Sequence, residues 1–139
     1  MPGLSRYFVR SSLLCLGLGF VLGGLILSAK AGLVTADVWM WLPAHIALLL
    51  FGWLIQLALG VGFWILPRQT GGNRGRPGWA WGSFMACQIG LALVVLSLLG
   101  MWIAPAGQLL TPGIVLLALG VGAFAVHALP RIRATVGQK

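Results

Sequence analysis

Acidic residues are almost absent from this chain: Asp37 is the only one in 139 residues, against nine lysines and arginines. Paired carboxylates for general acid-base hydrolysis are thereby excluded, and no carboxylate is left inside an apolar segment for proton coupling. Cysteine is nearly as scarce. Cys15 and Cys87 show no CxxC spacing and no neighbouring histidine that would make a metal site, so they read as small apolar residues in lipid or at a helix contact. Ser-His-Asp arrangements, phosphate loops and zinc spacings are missing too. Enzyme activity in its own right is not expected. Charged residues make up 7% of the chain and hydrophobic ones 60%. A soluble domain of this size could not cover so much apolar surface, so lipid must be its solvent.

Four apolar stretches are present: Ser11 to Ala29, Pro43 to Leu66, Trp79 to Ala104 and Pro112 to Leu129. Each has roughly the 17 to 25 residues that a helix rising ~1.5 Å per residue needs to cross the hydrocarbon. Helix is required because hydrocarbon offers no partner for an unpaired backbone amide, and the alternation of a membrane barrel strand is absent. The expected fold is an all-α membrane protein with one domain over residues 1–139. Its transmembrane helices fall near 11–29, 43–66, 79–104 and 112–129, as an up-down bundle or arc.

The basic residues orient it. Arg6 and Arg10 precede the first helix, Arg68, Arg74 and Arg76 lie between the second and third, and Arg131, Arg133 and Lys139 follow the fourth. Only Lys30 falls on the other side, so the positive-inside rule puts both termini in the cytoplasm. The expected location is a bacterial inner membrane, spanned several times. Nucleic acid is not an expected partner, because no surface interleaves basic residues with aromatics. Arg6, Arg10 and the run Ser28-Ala29-Lys30-Ala31 also imitate a cleavable secretory signal, and a retained first helix is the reading adopted.

Proline punctuates the spans. Pro43 opens the second helix where a missing amide proton is harmless, Pro67 closes it, Pro105 and Pro112 bracket the outer turn, and Pro130 is expected to stop the fourth. Residues 68–78, with four glycines and three arginines, read as a flexible basic connector. Trp39, Trp41 and Trp102 at the outer interface, with Trp64, Trp79 and Trp81 at the inner one, form an aromatic belt. Most of the 21 glycines lie inside the spans. Gly19 and Gly23 make a GxxxG pair, and Gly52, Gln56 and Gly60 share one side of the second helix, which implies close packing within or between chains.

Polar side chains in hydrocarbon are costly, and His45, Gln56, Gln88 and His127 are the candidates for function. His45 stands at the outer end of the second helix, and Gln56, eleven residues on, falls on the same face at ~3.6 residues per turn. Neutral imidazole is a ligand for haem iron, and no cysteine or acid cluster competes for another metal. His127 lies on the order of 20 Å deeper by the helix rise, so the two histidines of one chain cannot share an iron. It reads as a hydrogen-bonded residue near the C-terminus of the fourth helix, where its positive form would be favoured.

The stretch from Trp39 to Arg68, WMWLPAHIALLLFGWLIQLALGVGFWILPR, resembles the second helix of the catalytic subunit of haem-copper oxidases and nitric oxide reductases. In that family an outer-side histidine is followed by bulky apolar residues, a glycine step, an aromatic and a closing proline at nearly this distance. The resemblance covers about thirty residues, and beyond them only the topology. It implies that His45 is an axial ligand of haem b, with Gly52 and Gln56 on its face. Four helices stand here where the family's subunit has about twelve, and the histidines that bind copper and the second haem are missing. No copper and no oxygen-reducing site are therefore expected.

The family's subunit can be seen as three arcs of four helices, and this chain resembles one arc. That implies self-association, a trimer with a dimer as the alternative, and a second donor from His45 of another copy or from Met101. Electron transfer or haem handling near the outer face would follow, with an outer-face redox protein as partner and Lys30 near the propionates. The competing expectation is a cofactor-free structural or assembly subunit of a larger respiratory or photosynthetic complex.

Overall fold

The computed structural model of the chain describes residues 1–33, 35, 38–67, 77–100 and 106–136. Helix α1 spans Gly3–Lys30, α2 Trp39–Ile65, α3 Pro77–Leu99 and α4 Leu110–Val136. All four are long and apolar enough to cross a membrane, and no strand occurs among the described residues. By these helices the chain is an all-helical, multi-pass membrane protein. Most large apolar side chains on the outer surface of the helices are exposed, Leu14, Phe20, Leu27, Ile65 and Leu119 among them. Lipid is the solvent that tolerates such a surface.

The helix ends correct the sequence expectation in several places. α1 begins at Gly3 rather than Ser11, because backbone hydrogen bonding continues through the polar first turns that carry Arg6 and Arg10. It stops at a glycine device: Gly32, at φ +75°, donates to Ala29 O, and Leu33 donates to Ser28 O. Only glycine takes that left-handed conformation without strain. α2 opens with a 3-10 turn at Trp39–Trp41, carries Pro43 in its first α-turn, and ends where Leu66, ahead of Pro67, turns extended at ψ 134°. Steric conflict with the following proline ring explains that exit. α3 ends at Leu99, short of Ala104, with Gly100 following.

The expectation for Pro130 fails. α4 passes through it and continues to Val136, although a proline inside a helix removes one backbone bond and crowds the carbonyl four residues earlier, at a cost of ~3 kcal/mol. The next residue supplies part of the compensation, as the geometry of Arg131 shows below.

Two hairpins build the bundle, and each closes by the same means. Between α1 and α2, Ser5 Oγ donates to Gly60 O; between α3 and α4, Ser83 Oγ donates to Gly120 O at 2.6 Å. A cysteine sits against a glycine in each pair, Cys15 on Gly52 and Cys87 on Gly120. Both thiols are buried at helix contacts. Gly90 and Gly113 bring the α3 and α4 backbones so close that a Cβ at Gly90 would stand 2.7 Å from Leu117 N. Glycine thus replaces the hydrophobic effect, which gives no drive between helices in lipid, by letting backbones meet.

Two apolar clusters hold the hairpins together. Near the ends carrying the N-terminus and Pro67, Leu4, Phe8, Phe63, Ala80, Phe84, Phe124 and Ala128 meet from all four helices. Phe8 packs edge-on to Phe84 at 4.9 Å between ring centres. Further along, Cys15, Ala47, Leu48, Leu91, Val94 and Leu117 form the second cluster. Beside it α2 and α4 leave an apolar groove of about 540 Å³ over α3.

Candidate functional site

His45 turns into the α1–α2 seam. Its Nδ1 lies 2.8 Å from Gly19 O, and a Cβ on Gly23 would stand 2.7 Å from its Cε1. The GxxxG pair of α1 is therefore a seat for an imidazole: Gly19 offers the carbonyl and Gly23 the space. A carbonyl oxygen only accepts, so Nδ1 carries the hydrogen and donates. In the neutral ring that leaves the lone pair on Nε2, the arrangement in which a ligating histidine is oriented by a bond from its other nitrogen. The side chain remains partly exposed.

Below His45, the backbone from Leu48 to Ile55 is π-helical, with hydrogen bonds to the fifth residue. Such wide turns are uncommon, and they often stand beside functional residues. Gly52 lies inside this segment, and its bare backbone meets Cys15 of α1 and Leu91 of α3. Wider turns at this point let α2 touch both neighbours along one seam.

Gln56 follows directly and is fully buried. Ser11 Oγ donates to its Oε1 at 2.7 Å, Gln88 Nε2 donates to the same oxygen at 3.1 Å, and Gln56 Nε2 returns a long bond to Gln88 Oε1 at 3.4 Å. Three helices are thus joined by one polar cluster in the apolar interior, each bond worth about 0.6 kcal/mol on average in membrane bundles. Both His45 and Gln56 face α1, but they do different work. Gln56 is satisfied by Ser11 and Gln88, so it belongs to the scaffold that holds α2 in register.

His127 is placed elsewhere, and in a setting the sequence expectation did not describe. It lies nine residues before the end of α4, buried, with its ring stacked on Phe63 at 5.5 Å and 23°. Phe63 is eighteen residues beyond His45 on α2, roughly 27 Å by the helix rise. The two imidazoles therefore serve different ends of the bundle.

Arg131, one turn after His127, does more than add a charge that orients the chain. It is fully buried. Its Nε donates to Pro67 O at 2.9 Å and its Nη2 to Phe63 O at 3.3 Å and to Leu66 O, and the guanidinium carbon lies 5.4 Å from the Phe63 ring centre. The last carbonyls of a helix have no partner within it and carry its negative pole. Arg131 of α4 supplies both donors and charge to the end of α2. No sequence signal marks such a contact, because its acceptors are backbone atoms that every residue possesses.

Lys30 Nζ lies 5.8 Å from the Trp39 ring centre, a cation-π contact at the α1–α2 turn. Trp41 stands one turn before His45 on α2, and its buried Nε1 has no acceptor among the described residues. Met101, Asp37 and Trp102 lie outside the described residues, as do Arg68, Arg74, Arg76 and Lys139.

Among the described residues, the donor at this end of the bundle is the single oriented imidazole of His45. Among the described residues no three His, Cys, Asp or Glu side chains come together around a bare ion. A single oriented imidazole suits a porphyrin, which brings four nitrogens of its own. The 540 Å³ groove, however, is bounded by Ile46, Ala47 and Phe51 on another flank of α2, and His45 does not line it. No protein-family model, curated protein or solved structure matches the chain.

Proposed function

We propose that this chain is a membrane haem b protein in which Nε2 of His45 is an axial donor to the iron. The observation that supports it is the seating of the ring: an Nδ1–H bond to Gly19 O, against Gly23, where a Cβ would crowd the imidazole. Haem would supply one-electron chemistry at that end of the bundle. The chain's own residues would orient the donor, through the bond from Nδ1–H to Gly19 O.

The second donor is assigned to His45 of another copy or to Met101, since His127 is too distant. A symmetric oligomer follows from the first choice, a trimer before a dimer. The basic residues favour cytoplasmic termini in a bacterial inner membrane, with His45 and Lys30 on the outer side, where a redox protein would exchange electrons.

A second reading, a cofactor-free structural subunit, draws support from a different feature. Gly78, Gly82 and Ala86 of α3, with Leu116 and Leu119 of α4, border a shallow groove of about 670 Å³ on the lipid-facing side. Small residues on such a face permit a neighbouring helix to approach.

Titration of purified protein with haem separates the two. The native chain is expected to take up haem to saturation with a sharp Soret shift, and His45→Ala to lose it. A native chain that takes up no haem would leave the structural reading standing, and equal uptake by both would remove His45 as the donor.

A further inference from the structure

The end of the bundle remote from His45 carries exposed basic side chains without an acid beside them among the described residues. The sequence has one acidic residue, Asp37, between α1 and α2 in chain order. Arg6 and Arg10, four residues apart on α1, are both exposed, and neither guanidinium has a hydrogen-bond or ion-pair partner among the described residues. With Gly3 and Tyr7 they bound a small cleft of about 130 Å³. These residues share one face of the helix, at positions i, i+3, i+4 and i+7.

One wall of the cleft is fixed. The Tyr7 ring lies 5.6 Å from that of Trp81 and 6.2 Å from that of Phe84, tilted on both. Its hydroxyl has no hydrogen bond to the described residues. Trp79 and Trp81, both exposed, mark this level as the membrane interface, where indoles settle. Two guanidinium forks and a phenol around a small cleft at that level match the charge, size and donor needs of a phosphate group.

We propose that Arg6, Tyr7 and Arg10 bind the phosphate of an anionic phospholipid headgroup. The lipid is the source because the cleft opens at the interface and the neighbouring surface of α1 and α3 is apolar. The site is independent of the haem proposal and lies at the other end of α1.

The full chain in detergent would be offered phosphatidylglycerol or phosphatidylcholine of the same acyl length, and retained lipid counted by native mass spectrometry. The native chain is expected to hold phosphatidylglycerol in preference. In the double variant Arg6→Gln, Arg10→Gln the affinity for it falls roughly thirtyfold, at the usual contribution of a basic residue near an anionic surface. Both side chains are exposed, so the substitutions remove no packed contact. The control pair Arg74→Gln, Arg76→Gln has the same net charge and is expected to keep the preference.

Three results would overturn the assignment. Unchanged retention in the Arg6 and Arg10 variant would remove the site, and an equal loss in the control pair would reduce it to unspecific attraction. Displacement of phosphatidylglycerol by millimolar inorganic phosphate would make free phosphate the ligand.

Discussion

Arg131 is a buried guanidinium that holds three carbonyls. Replacing Arg131 by Met leaves Phe63 O, Leu66 O and Pro67 O without their donor. At ~1–3 kcal/mol for a polar group left unpaired, with water reaching part of the helix end, a loss of about 2 kcal/mol is expected in unfolding by SDS from mixed micelles. Arg131→Lys keeps the charge but not the fork, so it should recover less than half of that loss. Recovery to native stability would show that charge at the helix end, not the shape of the donor, is what matters.

His45, Gln56 and Gln88 were visible in the sequence because polar groups in apolar runs announce themselves. The identity of their partners was not. The Gln56–Gln88 pair and the seat of His45 depend on the register between helices, which composition does not contain. Gly23→Ala tests the seat directly: its Cβ would meet Cε1 of His45 at 2.7 Å and push the ring off Gly19. Reduced haem uptake with unchanged helix content is the expected outcome, measured by titration and circular dichroism.

At the scale of the helices, some glycines meet a neighbouring backbone, others a side chain, and others nothing. Gly90→Ala places a methyl 2.7 Å from Leu117 N and 2.9 Å from Gly113 O, atoms that cannot move without parting α3 from α4. A loss of about 2 kcal/mol is expected, within the usual cost of overpacking. A Cβ on Gly17 would meet no atom within 4 Å beyond its own turn of helix, so Gly17→Ala should leave stability unchanged or raise it by up to ~1 kcal/mol through helix propensity. The same SDS titration reads both, and equal effects would contradict the packing described.

Span number and approximate position were legible because hydropathy and the prolines at 43 and 67 agree. The first turns of α1 were not, since a hydropathy window senses hydrocarbon thickness while helical hydrogen bonding extends into the interface. Pro130 misled for a different reason. Local preference says stop, yet α4 continues into residues that Arg131 fastens to α2. The π-helical turns at 48–55 had no sequence signature beyond a glycine among bulky residues.

For the molecule as a whole, four crossings would place both ends of the chain on one side. In a background of Cys15→Ser and Cys87→Ser, a single cysteine at Thr35 or Gln108 should react with an impermeant maleimide applied to the outside of intact cells. One at Gln138 should react only after permeabilisation. The opposite pattern would invert the orientation and put His45 on the cytoplasmic side, leaving the ligation proposal intact but changing its redox partner.

The account turns on one bond, from Nε2 of His45 to iron. The direct measurement is the absorption spectrum of the native chain purified from haem-replete cells, beside that of His45→Ala prepared identically. A Soret band in the first and none in the second is the predicted result. A native protein without the band, or a variant that keeps it undiminished, would contradict the proposal.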